Sequence, residues 1–194
     1  MDAALSIALG YLLGSVPFGL LLTRATGGPD IREIGSGNIG ATNVLRTGNK
    51  GIAALTLLLD ALKAAGAGWI ALALFGAPWH FAAAAAALLG HCYPVWLGFR
   101  GGKGVATFFG SLLGLLWPVG LVAAATWLLV AFTTRYSSAA ALCAAAFSVA
   151  VTALFFSWPA IAMVAFMTAL IVWRHRENLA RLRAGTESKI GQKA

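Results

Sequence analysis

The sequence predicts an all-α, polytopic membrane helix bundle forming one domain over residues 1–194, and three observations carry that prediction. The chain is 60% hydrophobic and 10% charged, where a soluble domain holds about 25% charged residues. Its mean hydropathy is +0.83. The apolar residues gather in runs of about 20, the length that crosses a bilayer as a helix. The 14 Lys and Arg residues, Lys63 excepted, stand in the short polar gaps between those runs or in the tail. So little polar surface excludes a soluble fold, and the same apolar excess excludes disorder. The net charge of +8 belongs, by its placement, to one membrane face and the anions bound there. Nucleic acid is therefore not an expected partner.

The first run, 3–23, begins without Lys or Arg and is followed by further apolar runs, so it reads as a retained span rather than a removed signal. A Gly- and Asn-rich polar loop, 24–50, carries Arg24, Arg32, Arg46 and Lys50. Runs 51–75 and 79–99 read as two spans joined by an uncharged turn at Gly76-Ala77-Pro78, and they return the chain to Arg100 and Lys103. From Gly104 the apolar sequence continues for about 28 residues, enough for one long crossing or two short ones. Charge decides between them. Folding back at Trp117-Pro118, and again at Trp158-Pro159, puts Arg135 and the tail cations Arg174, Arg176, Arg181, Arg183, Lys189 and Lys193 on the side of the earlier loops. The expectation is seven spans with the N-terminus outside and cytoplasmic loops at about 24–50, 98–104, 133–138 and 174–194. The alternative is five spans, with 105–132 and 138–173 each crossing once; it needs a helix of about 36 residues, beyond the usual limit of about 25, and leaves Arg135 outside.

Within these spans, Asp60 and Lys63 share a helical face where lone charges are expensive, so they are expected to pair, as a stabilising ion pair or as a relay. Cys92 and Cys143 lie in apolar stretches and read as small buried hydrophobes, and His80 beside Trp79 reads as interfacial. His91 and Cys92, being adjacent, point apart on a helix.

Three polar clusters could carry chemistry. Gly35-Ser36-Gly37-Asn38-Ile39-Gly40 spells the dinucleotide fingerprint, but a membrane span and a polar loop precede it instead of a buried strand, which refutes that reading. What survives is a glycine loop able to turn backbone amides toward an anion, with Ser36, Asn38, Thr42, Asn43 and Arg46 as further donors. The second cluster, Arg100-Gly101-Gly102-Lys103-Gly104 with Thr107, departs from a nucleotide-hydrolysing loop at both ends. It still places two cations and glycines ahead of a helix N-terminus, a second phosphate cradle. The third is Arg174-His175-Arg176-Glu177-Asn178, followed by Arg181, Arg183, Gly185-Thr186-Glu187 and Lys189; His175 and Asn178 share a face. No Ser-His-Asp or Cys-His spacing supports a covalent intermediate, and no residue cluster supports a metal. Two anion cradles on one membrane face imply a reaction between phosphate-bearing molecules, one of them lipidic. A small organic-phosphate transporter is the rival class, disfavoured because no internal repeat is evident.

These segments together resemble the bacterial acyl-phosphate:glycerol-3-phosphate acyltransferases: Gly35 through Arg46; Gly90-His91-Cys92-Tyr93-Pro94 with Phe99 through Thr107; and His175 through Asn178 with Gly185-Thr186-Glu187 and Lys189-Ile190. The resemblance runs the whole chain in order, with Arg100 where Lys is the commoner residue. It implies transfer of a fatty acyl group from acyl phosphate to the sn-1 hydroxyl of glycerol 3-phosphate at a bacterial inner membrane, with no cofactor. It also implies roles. Ser36, Gly37, Asn38, Thr42, Asn43 and Arg46 would meet the acyl-phosphate head; Lys103 with Gly101, Gly102, Gly104 and Thr107 would hold glycerol 3-phosphate; Ser138, His175 and Asn178 would complete that site. Ser36, Arg46, Lys103 and His175 are the expected catalytic residues, Glu177 is expected to anchor basic neighbours, and the general base is either His175 or a substrate phosphate oxygen. Membrane lipid and the soluble enzyme that makes acyl phosphate are the implied partners.

Overall fold

The computed structural model describes residues 1–191, so Lys193 of the basic tail lies outside the described residues. Every regular element among those residues is a helix, and they contain no strand. Helices α1 (Asp2–Gly14) and α2 (Phe18–Ala25) form one apolar rod broken ahead of Pro17, whose ring cannot donate to the helix ladder. The polar segment that follows holds a single turn of helix, α3 (Ala41–Val44), and leads into α4 (Lys50–Phe75), capped by the Asn49 side chain accepting from Ile52 N–H at 3.0 Å. Then come α5 (Trp79–Cys92), α6 (Val105–Leu115), α7 (Trp117–Thr134), α8 (Ser137–Phe155), α9 (Trp158–Arg174) and the short α10 (Arg176–Arg183).

The breaks fall where the prolines place them. Pro118 and Pro159 sit in the first turns of α7 and α9, where a missing N–H costs nothing. Residues 138–173 do not form one long helix: the Thr168 hydroxyl donates to Ala145 O at 3.1 Å, so α9 has doubled back on α8. Asp2–Ala25, Lys50–Phe75, Trp117–Thr134 and Ser137–Phe155 are each long and apolar enough to cross a membrane, and α9 with α10, bent by 58°, makes a fifth if counted as one span. At 11 residues, α6 is shorter than a bilayer crossing.

Small residues set the packing. Gly10 and Gly14 of α1 lie on the backbone of Ala83 and Ala87 in α5, and Gly110 of α6 lies on that of Ala61 in α4; a Cβ at any of them would overlap a carbonyl. Such close approach is how helices associate where lipid removes the hydrophobic drive. Phe108, Leu112, Val119, Val164, Met167 and Ile171 fill the space among α5 to α9. A second cluster, Leu20, Ile31, Ile39, Val44 and Ala53, fastens the polar loop onto α2 and α4. Cys92 is buried as expected, whereas Cys143 is exposed on the flank of α8. His80 is buried, with its ring 3.9 Å from that of Phe81.

Candidate active site

The first glycine loop is braced by one side chain. Asn43 is buried; its Oδ1 accepts from Ser36 N–H at 3.1 Å, and its Nδ2 donates to Ile31 O at 2.6 Å and Ile34 O at 3.2 Å. Asn38 Oδ1 accepts from Gly40 N–H at 3.3 Å, a local turn contact. Gly35 and Gly37 take positive φ, and the Arg46 guanidinium lies over Gly35 where a Cβ would strike it. Both asparagines are therefore engaged in shaping the loop. Ser36, Gly37, Thr42 and Arg46 are the members left exposed. The loop faces the second motif across a cleft of about 600 Å³ lined by Arg32, Glu33, Gly37, Leu97, Gly98 and Arg100. Asp30 bridges Arg24 and Arg32 at the rim, and the hydrogen bonds from Arg32 hold its carboxyl well below the usual range.

The second glycine loop is clamped on both sides. Gly101 N–H donates to Cys92 O at 3.1 Å and Gly102 N–H to His91 O at 3.0 Å. The carbonyls of the same two residues accept from Arg174, Nη2 to Gly101 O at 2.8 Å and Nε to Gly102 O at 3.0 Å, with the guanidinium 5.1 Å above the Tyr93 ring. Backbone amides expected to face an anion are thus committed within the protein, and glycine is required because a Cβ at either position would overlap His91. Among the described residues, the donors that remain here include the Arg100 guanidinium, the Lys103 ammonium and the first amides of α6, which Gly104 opens with φ +82°. Thr107, in that first turn, is fully buried, and its hydroxyl has no hydrogen-bond partner among the described residues.

The tail completes the cluster. Lys103 Nζ donates to Asn178 Oδ1 at 2.5 Å, and Asn178 Nδ2 donates to Glu187 Oε1 at 2.6 Å. Glu187 also accepts from the Ser138 hydroxyl at 2.7 Å and from Arg181 Nε at 2.7 Å. Burial raises the Glu187 carboxyl, but these hydrogen bonds outweigh it and hold the group below the usual range. Burial, with Arg181 nearby, lowers Lys103. His175 Nδ1 sits 2.8 Å from Ile171 O, an oxygen that can only accept, so Nδ1 carries the proton and Nε2 is the basic nitrogen. Burial pushes that imidazole down to about 4, leaving it neutral near pH 7. Ile190 and Arg135 exchange backbone and side-chain hydrogen bonds at 2.7 and 3.0 Å, strapping the tail over Ser138.

Glu177 is exposed and pairs with its basic neighbour Arg176 at 3.9 Å, whereas the carboxylate that reaches Ser138, Asn178 and Arg181 is Glu187. The signal was present in the sequence: these are the two acids of the basic tail, and Glu187 alone follows a glycine turn that can swing it inward. Asp60 and Lys63 do pair, at 2.7 Å. His91 joins them, although its neighbour Cys92 points elsewhere.

The comparisons with known proteins bear on the family and the fold. A family model described as glycerol-3-phosphate acyltransferase matches residues 4–185. The glycerol-3-phosphate acyltransferase of Rhodopseudomonas palustris (strain BisB5) is 57% identical over 189 residues, covering 97% of this chain and 96% of that protein. That of Mesorhizobium japonicum is 59% identical over 196 residues, covering 97% and 96%. The crystal structure of PlsY (YgiH), an integral membrane glycerol 3-phosphate acyltransferase, in its glycerol 3-phosphate form has a TM-score of 0.91 and 36% identity over 98% of this chain and 96% of that one. Since the model spans the bundle, both glycine loops and the tail up to its glycine turn, the chain belongs to the glycerol-3-phosphate acyltransferase family.

Proposed function

We propose that this protein transfers a fatty acyl group from acyl phosphate to the sn-1 hydroxyl of glycerol 3-phosphate, giving lysophosphatidic acid and inorganic phosphate for phospholipid synthesis. Membership of the family supports the acceptor and the acyl transfer, and a solved relative in a glycerol 3-phosphate form supports a site for that molecule. The observation that carries the reading is the convergence of Lys103, Ser138, His175 and Asn178, with Arg174, Arg181 and Glu187, at the basic end of an apolar bundle.

In this reading the acceptor oxygen attacks the acyl carbonyl carbon, the carbon–oxygen bond to phosphate breaks, and phosphate leaves. The mixed anhydride is already activated, so neither a covalent enzyme intermediate nor a cofactor is called for. Ser36, Thr42 and Arg46 of the first loop would stabilise the donor's phosphate and developing oxyanion; Lys103 and the amides opening α6 would hold the acceptor's phosphate. Asn38 and Asn43 with Gly37, and Gly101 and Gly102 with Gly104, would serve by fixing the two loops. The acceptor's proton goes to His175 Nε2 or to a substrate phosphate oxygen. Seven spans with the N-terminus outside, the loops at about 24–50, 98–104, 133–138 and 174–194 facing the cytoplasm, fit the breaks at the prolines and place the basic groups on one side of the inner membrane.

The test is phosphate release by purified protein from palmitoyl phosphate, with and without glycerol 3-phosphate, and mass spectrometry of the lipid product. Acceptor-dependent lysophosphatidic acid from palmitoyl phosphate but not from palmitoyl-CoA is expected. Phosphate release without acceptor would replace transfer by hydrolysis, and turnover with palmitoyl-CoA would overturn the donor class.

A further inference from the structure

Beneath the second glycine loop lies a charged group that the transfer chemistry does not use. Lys63 Nζ donates to Asp60 Oδ1 at 2.7 Å and to Val16 O at 2.8 Å, and stands 3.0 Å from His91 Nδ1. An ammonium has three protons and no acceptor, so His91 Nδ1 accepts the third and the ring proton lies on Nε2. Val16 O is the carbonyl in the break ahead of Pro17, so the same lysine ties the link between α1 and α2 to α4 and α5. All three side chains are buried. The imidazole is thereby fixed in rotation and in tautomer.

The far edge of that ring faces the loop. A Cβ on Gly102 would overlap His91 Nε2, Cε1 and Cδ2, and the backbone carbonyl of His91 receives the Gly102 N–H. Gly102 therefore rests on His91, with Arg174 gripping its carbonyl from the other side, and Lys103 is the next residue. A bundle gains little stability from a buried ion pair relative to apolar side chains of the same volume. Three acceptors at fixed directions, however, orient the Lys63 ammonium, and its third N–H then holds the imidazole in a way that apolar packing does not.

We propose that Asp60, Lys63 and His91 are positioning residues: Lys63 locks the His91 ring as the floor on which Gly102 rests, and so sets where Lys103 presents its ammonium. The proposal rests on the reading that Lys103 binds the phosphate of glycerol 3-phosphate. His91→Asn keeps an acceptor close to the Nδ1 position and so preserves the tie among the helices, while deleting the edge under Gly102.

The experiment compares wild type, His91→Asn, Gly102→Ala and the double variant in steady-state kinetics and in thermal unfolding, using whichever acyl donor the wild-type protein accepts. His91→Asn is expected to leave the melting temperature nearly unchanged and to raise KM for glycerol 3-phosphate about fivefold to tenfold, with the donor KM moving less than about twofold. Gly102→Ala is expected to lose more, and the double variant to recover part of that loss, because the ring that its Cβ strikes is gone. Strictly additive effects of the two substitutions, or a glycerol 3-phosphate KM that His91→Asn leaves in place, would overturn the proposal. Lys103→Ala run in parallel separates the two levels. If it leaves the glycerol 3-phosphate KM unmoved, the substrate reading of Lys103 has failed, and the coupling of His91 to Gly102 in melting temperature still decides whether the floor exists.

Discussion

Lys63 and Lys103 are the same side chain in two settings. Lys63 lies between apolar helices, and its protons are taken by Asp60, Val16 O and His91. Lys103 sits on a loop, half-buried, and among the described residues its hydrogen-bond partner is Asn178. One ammonium is consumed by the protein; the other keeps donors to spare. A lysine is a structural tie where protein acceptors saturate it, and keeps donors for a ligand where a loop leaves it under-satisfied. The same contrast divides the two asparagines of the site. Asn43 is saturated and shapes its loop, whereas Asn178 passes a hydrogen bond from Lys103 on to Glu187.

If that contrast holds, Lys63→Met should cost stability first. Stranding the Asp60 carboxylate among apolar helices should cost about 3–5 kcal/mol, read as a lowered melting temperature in detergent. Lys103→Ala should instead leave the melting temperature nearly unchanged and raise KM for glycerol 3-phosphate about a hundredfold, the worth of a charge-assisted contact to phosphate; equal effects on both substrates would break the division between the loops. Glu187→Gln keeps an acceptor but loses the charge facing Arg181, and should cost about 1–2 kcal/mol of stability and weaken glycerol 3-phosphate binding together.

His175 sharpens the comparison through pH. Its folded pKa of about 4 lies below the ordinary 6.5. Between those values the unfolded chain binds a proton that the folded chain refuses, so stability falls as pH drops through that window, and His175→Gln should flatten the fall. If Nε2 is the base, the acid limb of kcat in wild type should lie near 4 rather than near 6.5. The smallest effect is expected at Thr107, whose buried hydroxyl has no hydrogen-bond partner among the described residues. Thr107→Val should change stability by less than about 1 kcal/mol, and a raised KM for glycerol 3-phosphate would show that the hydroxyl meets substrate.

The helical class, the breaks at Pro78, Pro118 and Pro159, and the gathering of cations in a few loops were legible because they depend on local rules: apolar length, a missing N–H, and the preference of charge for water; the break ahead of Pro17, inside a run that reads as one span, was not. The three polar clusters were legible for the same reason, since donors and glycines between apolar runs have nowhere to go but a membrane face. Their internal division of labour was not. Which asparagine is a brace, and which glycine amides are already bonded, depends on partners 7 to 12 residues away for Asn43 and on His91 and Cys92 for Gly101 and Gly102. Glu187 joins the cluster because a glycine turn and the strap through Arg135 and Ile190 carry it back over Ser138. The sequence says only that His91 and Cys92 point apart; helix packing brings Lys63, 28 residues earlier, to the His91 ring. Sequence alone determined which groups must leave the lipid. Only the tertiary structure decided which of those groups the protein saturates itself and which it leaves for a ligand, because hydrogen-bond capacity is spent across the fold and not along the chain.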